Sequence, residues 1–524
     1  MPFRKWDCPM SFFRSSALVF PLFMGFLALA PGCTPLTDYY ANGFKVGPQY
    51  SRPPAPVADD WIDNSDKRIL KDPDEHRKWW TVFNDTNLDN LICSASNQNL
   101  KVREAGYRVL ASRAELAIAI GRIMPQQQFV QGSFSQNALS IEVANRQFIP
   151  QNFYPQFNYG LGIAWELDFW GKYRRTVESA ANNLDANIEE FDDFMVLLLA
   201  DVVEAYTRMR YFERVVDLLK ENIEFQKISL TIATARFKGG LASELDVDQG
   251  QSDLSFTESQ VPLFQRLARL ENNRLCLLLG ISPEDLEKKI GPGKIPVAPK
   301  TVAVGIPAEL ITRRPDVRKV EREAAAECAR IGVATADLYP HISLDGAIGA
   351  NSMTWNNLFN PKAMYGSIAP GFRWNVLNYG RLINHVRLQD AKFQAAVARY
   401  QNTVVTAGKE VEDGLAEFLR AQEQTAEMEK SVTAIRKAGD LVIVQYRAGT
   451  TDFNRVSLVQ EKRVSRELEL AQAQFYIAEG LVKTYKALGG GWQIRLDGCS
   501  LAESIKLDPP KKELPKPEGA KESP

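Results

Sequence analysis

Four groups of residues in the 524-residue chain have types and spacings that could do chemistry. Asp246-Val247-Asp248-Gln249-Gly250 begins like a calcium loop, but Gly250 stands at a ligand position and the closing Glu is missing. Gly291-Pro292-Gly293-Lys294 lacks the spacing of a phosphate-binding loop. The three histidines, His76, His341 and His385, are too scattered for a His-based metal or catalytic centre. The cysteines, Cys8, Cys33, Cys93, Cys276, Cys328 and Cys499, contain no CxxC pair and are too sparse to suggest a disulfide framework. No enzyme, metal or cofactor is therefore expected. Charge is balanced, with 63 Lys and Arg against 64 Asp and Glu, which argues against a nucleic-acid partner. What remains is an ionic cluster that catalyses nothing: Glu244, Asp246 and Asp248 follow a Gly239-Gly240 turn, and Asp452 and Arg455 follow Gly449-Thr450.

These two clusters occupy equivalent places in an internal repeat. Trp165, Gly171, Val202, Gly240, Gln251 and Gly280 each have a counterpart 209 residues later, in Trp374, Gly380, Val411, Gly449, Gln460 and Gly489. Upstream, Val102, Arg103 and Pro125 match Val317, Arg318 and Pro340 at an offset of 215. The repeats are placed at residues 79–300 and 301–490. Each opens with a helix, near 97–124 and 308–338, and continues through two strands into a very long helix. In the first copy that helix is free of Pro and Gly from 172 to about 237, roughly 99 Å at 1.5 Å per residue. Met195, Leu199, Val202, Tyr206, Met209, Phe212, Val216 and Leu219 recur every three or four residues along it, the spacing of a coiled-coil seam. The second copy repeats it from 381 to about 446, interrupted by Gly408, Gly414 and Gly439. A return helix completes each copy.

The strands are expected at 128–136, 157–169, 341–350 and 367–377. In the second of them Phe157, Tyr159, Leu161, Ile163, Trp165, Leu167 and Phe169 alternate with small or polar residues. That period-2 pattern suits a membrane strand with a lipid face and a wet face. The alternative is one face of a soluble sandwich. Four strands in a bilayer leave two unpaired edges, which hydrocarbon penalises by several kcal/mol per group. Three chains supply twelve strands and close the ring, so a homotrimer is expected. Glu166, Asp168, Asp345 and Arg373 would then line an aqueous lumen, and the loops 137–156 and 351–366 would lie outside the cell.

The N-terminus directs export. Arg4, Lys5 and Arg14 precede an apolar run at 17–30, too short to span a bilayer as a helix but suited to a signal peptide occupying residues 1–32. Ala30-Pro31-Gly32-Cys33 resembles a lipoprotein processing site, which would make Cys33 the acylated (palmitate-bearing) first residue; an ordinary signal peptide with an incidental Cys is the other reading. Residues 33–78, Pro-rich from Val46 onward, read as a lipidated tether, and 491–524 as a disordered tail.

Trp79-Trp80-Thr81-Val82-Phe83-Asn84-Asp85, with Leu88, Leu91 and Ile92, resembles the opening of the lipoprotein branch of TolC-like outer membrane factors, with Thr86 in place of the usual Pro. Arg313-Arg314-Pro315-Asp316-Val317-Arg318, Ile331-Gly332 and Tyr339-Pro340 resemble the same family's central signature, and the stretches 374–381 and 446–450 match as well. The likeness covers about residues 46–490. It implies a membrane β-barrel of twelve strands, four per chain, continued by an all-α coiled-coil periplasmic tunnel. It also implies an outer membrane exit duct of a tripartite efflux system for small molecules such as drugs, served by a periplasmic adaptor and an inner-membrane transporter, expected to be proton-driven. Glu244, Asp246, Asp248, Asp452 and Arg455 would form the periplasmic gate, with Arg455 pairing Asp246 in the closed state. Gly240, Leu241, Ala242, Gly449 and Thr450 would dock the adaptor. A duct for protein secretion and a poreless periplasmic scaffold are the competing readings.

Overall fold

The computed structural model describes residues 36–70, 77–140, 142 and 151–499. Cys33, the apolar run before it, His76 and the tail beyond 499 lie outside the described residues. In chain order the principal elements are α1 (Leu36–Ala41), α2 (Thr86–Gln98), α3 (Leu100–Gly121), β1 (Gln127–Ala138), β2 (Phe153–Leu167), α4 (Lys172–Lys238), α5 (Glu244–Leu279), α6 (Pro315–Ala336), β3 (His341–Ser352), β4 (Met364–Arg373), α7 (Arg381–Ala448), α8 (Phe453–Ala487) and α9 (Ile494–Asp497). Helix α4 contains 67 residues, as its freedom from Pro and Gly suggested, and α7 contains 68, continuing through Gly408, Gly414 and Gly439, which were expected to interrupt it. Helix α5 continues past Pro262 in its interior. No helix among the described residues is long and apolar enough to cross a membrane.

The chain divides into two compact units. The first comprises residues 36–49, 127–175 and 331–383 and holds one antiparallel sheet in the order β1-β2-β3-β4. Registers Ala164↔Asp345↔Ala369 and Glu166↔Ser343↔Gly371 put the small and polar residues of neighbouring strands on one face. The opposite face carries Val130, Phe134, Leu161, Ile163, Ile348, Ile368 and Phe372, all exposed in the single chain. On the small-residue face the Phe129 ring lies over Gly162, where a Cβ would come within 2.3 Å of it. Strands β1 and β4 have no partner on their outer edges among the described residues. Pro370 falls on β4, the outer strand of the sheet within one chain, opposite Leu344 of β3.

The bounds of two strands, β2 and β4, depart most from expectation. Strand β2 starts at Phe153 and stops at Leu167, so Asp168 and Phe169 are not in it. Strand β4 starts at Met364 and stops at Arg373, leaving Trp374, Val376 and Leu377 in the approach to α7. Both turns between paired strands are consequently shorter than the loops expected at 137–156 and 351–366. The Pro-rich start is no free tether either. Val46 is 1 % exposed, its N–H donates to Trp170 O (3.0 Å), and the buried Arg175 guanidinium donates to Val46 O (3.1 Å) and Gly47 O (3.2 Å). Gly47 adopts φ +87°, and a Cβ there would lie 2.4 Å from Gly332 Cα, so only glycine fits.

The second unit comprises residues 50–126, 176–330 and 384–499. Its core gathers Trp79, Trp80, Leu88 and Leu91 against the α4 seam of Met195, Leu199, Val202, Tyr206 and Met209, with Val411, Leu415 and Phe418 of α7 and Leu481 and Tyr485 of α8. Trp79 stacks on Tyr485 with ring centres 5.5 Å apart. Thus the double-Trp opening is a core plug. Helices α7 and α8 cross at backbone contact: a Cβ on Gly414 would meet Thr484 N at 2.8 Å, and one on Gly480 would meet Phe418 N at 2.6 Å.

The cysteines depart from expectation. Cys93 of α2 and Cys499 are joined in a disulfide, with Cα atoms 5.5 Å apart across 406 residues of chain. Separation in sequence concealed the pair, because no local spacing announces a contact between two chain ends. Cys276 and Cys328 are buried and not disulfide-bonded.

Candidate functional site

At the tips of the two helical hairpins the same local chemistry is built twice. Helix α4 ends in Gly240 at φ +71°, with Leu241 N donating to Arg236 O (2.8 Å); α7 ends in Gly449 at φ +77°, with Thr450 N donating to Gln445 O (3.0 Å). Both are glycine C-caps of the left-handed kind, which satisfy the last carbonyls of the helix. Arg236 ties one turn to the other: its guanidinium donates to Tyr446 O and to Leu241 O (3.4 Å) and lies 4.8 Å from the Tyr446 ring centre. Beneath it Ala233, Val442, Ile443, Tyr446, Phe453 and Val456 form a small separate core. Leu241 projects from the first tip 72 % exposed.

The gate candidates start the return helices. Glu244 and Asp246 stand in the first turn of α5, where the helix dipole favours a carboxylate. Asp246 accepts from Ser243 Oγ (2.9 Å) and lies 3.5 Å from the Tyr446 hydroxyl. Burial, aided by Asp246, raises the Tyr446 hydroxyl above its usual range. Asp452 is the N-cap of α8 and accepts from Arg455 N (2.8 Å). Glu244, Asp248 and Arg455 are exposed. Within one chain, among the described residues, no ion pair joins Arg455 to Asp246; Ser243 and Tyr446 are the partners of Asp246 instead.

The four candidate lumen residues do not behave alike. Asp345 and Arg373 stand exposed on the small-residue face of the sheet. Glu166 shares that face but is engaged by His341 Nδ1 (2.7 Å) and accepts from the Tyr173 hydroxyl (3.0 Å). Asp168 is the correction. It lies past the strand and accepts from Tyr173 N (2.8 Å), Arg174 N (3.0 Å) and Arg174 Nε (2.9 Å), satisfying the open amides at the start of α4. Alternation of residue types persisted one step beyond the ladder and mimicked a wet-face position. Nearby, Trp170 stacks on Tyr339 (4.5 Å) and donates to Pro340 O (2.8 Å), and Tyr39 donates to Phe169 O (2.8 Å), an aromatic row at one end of the sheet.

Two groups escaped the sequence reading. Glu467, 1 % exposed, accepts from Asn222 Nδ2 (2.6 Å) and Arg436 Nε (2.6 Å) and faces Arg463 Nε at 3.3 Å. Arg463 in turn lies over the Phe225 ring at 4.5 Å. This charged layer joins α4, α7 and α8, and nothing but a break in the apolar period could have signalled it. Arg314, a residue of the Arg313–Arg318 signature, donates to Ala487 O (2.8 Å), holds Asp316 bidentately and pairs with Glu410 Oε2 (2.8 Å). It closes the carbonyl end of α8.

A sheet with one apolar and one polar face, with no partner at either outer edge among the described residues, and two hairpins of unusually long helices are the architecture expected of one subunit of a membrane duct. Comparison with known proteins agrees. The model of the outer membrane efflux protein family matches residues 91–281 and 306–490, and the chain belongs to that family. It is 27% identical over 485 residues to Nodulation protein T of Rhizobium leguminosarum bv. viciae, covering 92% of this chain and 94% of that one. It is 29% identical over 474 residues to the toluene efflux pump outer membrane protein TtgF of Pseudomonas putida, covering 86% and 95%. Among solved structures, the outer-membrane channel OprN superposes with a TM-score of 0.81 at 30% identity, over 86% of this chain and 99% of that one. The protein is an outer membrane channel of a tripartite efflux system.

Proposed function

We propose that three copies of this chain close a twelve-stranded barrel and form a passive exit duct for small molecules such as drugs. The observation that carries this reading is the sheet itself: among the described residues β1 and β4 have no partner at their outer edges, and only one face is apolar. Hydrocarbon does not tolerate open edges, and cyclic pairing of β4 with β1 of the next copy removes them. The polar faces, with Asp345 and Arg373, then enclose water. The duct moves cargo without catalysis. A periplasmic adaptor and a proton-driven inner-membrane transporter supply that cargo and its energy, the adaptor docking at Gly240, Leu241, Ala242, Gly449 and Thr450. Acylation at Cys33 anchors the chain in the outer membrane, with the long hairpins in the periplasm.

Trimerisation triples the tip charges around one axis. Asp246 and Arg455, unpaired with each other within a chain, would pair between neighbouring chains when the tips converge, with Glu244, Asp248 and Asp452 around them. The experiment is single-channel conductance of the purified protein in planar bilayers, with Arg455→Ala beside wild type. A low resting conductance that rises in the variant supports a gated duct. A protein that migrates as a monomer and never conducts would refute the channel, and unchanged resting conductance in the variant would refute the pair.

A further inference from the structure

We propose that the Cys93–Cys499 bond is a maturation staple, closed after export by a disulfide-donating thiol oxidant, and that it locks the C-terminal segment 491–499 onto the second unit. Cys93 sits in a buried stretch of α2 that also contains Leu91 and Ile92. Cys499 follows α9, which the fold anchors without covalent help. Ile494 is buried, Arg495 Nε and Nη2 donate to the two oxygens of Asp192 (2.7 and 3.0 Å), and Trp492 lies beneath the Arg318 guanidinium at 4.9 Å. These contacts hold the end of the chain where Cys499 meets Cys93, with Cα atoms 5.5 Å apart, inside the range a disulfide requires.

Chain order gives the staple its character. A chain oxidised as it emerges would first offer Cys93 the thiols of Cys276 and Cys328, long before Cys499. Both are buried in the folded unit and take no part in a disulfide there, Cys276 lying between Asn272 and the Glu284 backbone. The native pair therefore forms last, once folding has hidden the competitors and α9 has docked. The exchange balances simply. A thiolate of the pair attacks the oxidant's disulfide and forms a mixed disulfide, and the second thiolate displaces the oxidant. One S–S bond is made and one broken; two electrons pass to the oxidant, which leaves as a dithiol carrying the two protons. An outer membrane protein crosses the oxidising compartment in which such donors act.

The test uses the full-length protein purified from outer membranes, alkylated before any reduction and mapped by mass spectrometry. The expected result is a peptide containing Cys93 linked to one containing Cys499, with Cys276 and Cys328 alkylated only after unfolding. Recovery of Cys93 and Cys499 as alkylated free thiols, or Cys93 linked to Cys276, overturns the proposal. The locking role is read by trypsin cleavage after Arg495. Cleavage should accelerate about tenfold or more in Cys499→Ser, and equally in wild type pre-treated with dithiothreitol, because proteolysis follows the population of the opened segment. If both cleave at the untreated wild-type rate, the bond locks nothing.

Discussion

The crossing of α7 and α8 sets up a comparison of two alanine substitutions six residues apart in one helix. A Cβ on Gly414 would lie 2.7 Å from Thr484 Oγ1 and 2.8 Å from Thr484 N, whereas a Cβ on Gly408 would meet nothing within 4 Å in the chain. Nonbonded heavy atoms rest about 3.5–4.0 Å apart, so Gly414→Ala forces the two backbones to separate by about 1 Å. Overpacking of that kind costs about 1–3 kcal/mol. Against it stands the gain of about 0.5–1 kcal/mol from replacing a glycine inside a helix. Gly414→Ala should therefore destabilise by up to about 2.5 kcal/mol, and Gly408→Ala should stabilise by about 0.5–1 kcal/mol. Gly480→Ala, which meets Phe418 N at 2.6 Å from the other side, should behave like Gly414→Ala. Because both act on one contact, the double variant should lose less than the sum. The assay is thermal unfolding of the detergent-solubilised protein, followed by helical circular dichroism. If Gly414→Ala melts at or above Gly408→Ala, the close crossing does not govern the stability of this hairpin and the reasoning fails.

Three further outcomes are expected. Glu467→Ala should cost about 2–3 kcal/mol in denaturant unfolding, less than a fully enclosed pair because Arg436 is 45 % exposed and can rehydrate; Glu467→Gln, which keeps the hydrogen bond from Asn222, should lose less. Burial, with Asp316 adding to it, pushes the Asp193 carboxyl up to about 6 from an ordinary 3.8. The folded chain thus binds this proton more tightly than the unfolded one, so its contribution is fully present below about pH 4 and is lost as pH rises through 6. Asp193→Asn should therefore raise the melting temperature at pH 7.5 and flatten its dependence between pH 4 and 6; an unchanged profile would show the carboxylate to be solvated. Gly449→Trp should abolish drug export while leaving the amount of protein in the outer membrane normal. A drop in abundance to match the lost export would assign Gly449 to helix capping alone.

Much of the architecture was legible because it is local and periodic. The Pro- and Gly-free run that became α4 was placed to within a residue at each end, and the seam from Met195 to Met209 is buried as its spacing required. The two glycine tips were visible because a helix that must reverse needs φ > 0 at one residue. Strand ends were not legible. Phe169 and Trp374 keep the alternation going after the ladder has stopped, and past each strand the residues bond outside the sheet: Asp168 accepts from the α4 amides, and Trp374 Nε1 donates to Leu338 O (3.0 Å). The staple and the Glu467 layer escaped for the same reason. Each joins residues that only the finished fold brings together, one across 406 positions and the other across three helices.

The sheet order β1-β2-β3-β4 sets the first repeat's two strands beside the second's, so the β2–β3 ladder is the point where one ancestral half abuts the other. In a ring of three chains the β4-to-β1 contact is the same abutment made between molecules. Six near-equivalent halves would then circle the pore with alternating covalent continuity, a pseudo-sixfold barrel inside a threefold one. Evolution can revise one kind of joint without the other: a change in β2 or β3 alters how a chain folds, whereas a change on the outer edge of β1 or β4 alters which chains it will close with. A genome carrying several such channels could keep its rings from mixing by edits to those two edges alone.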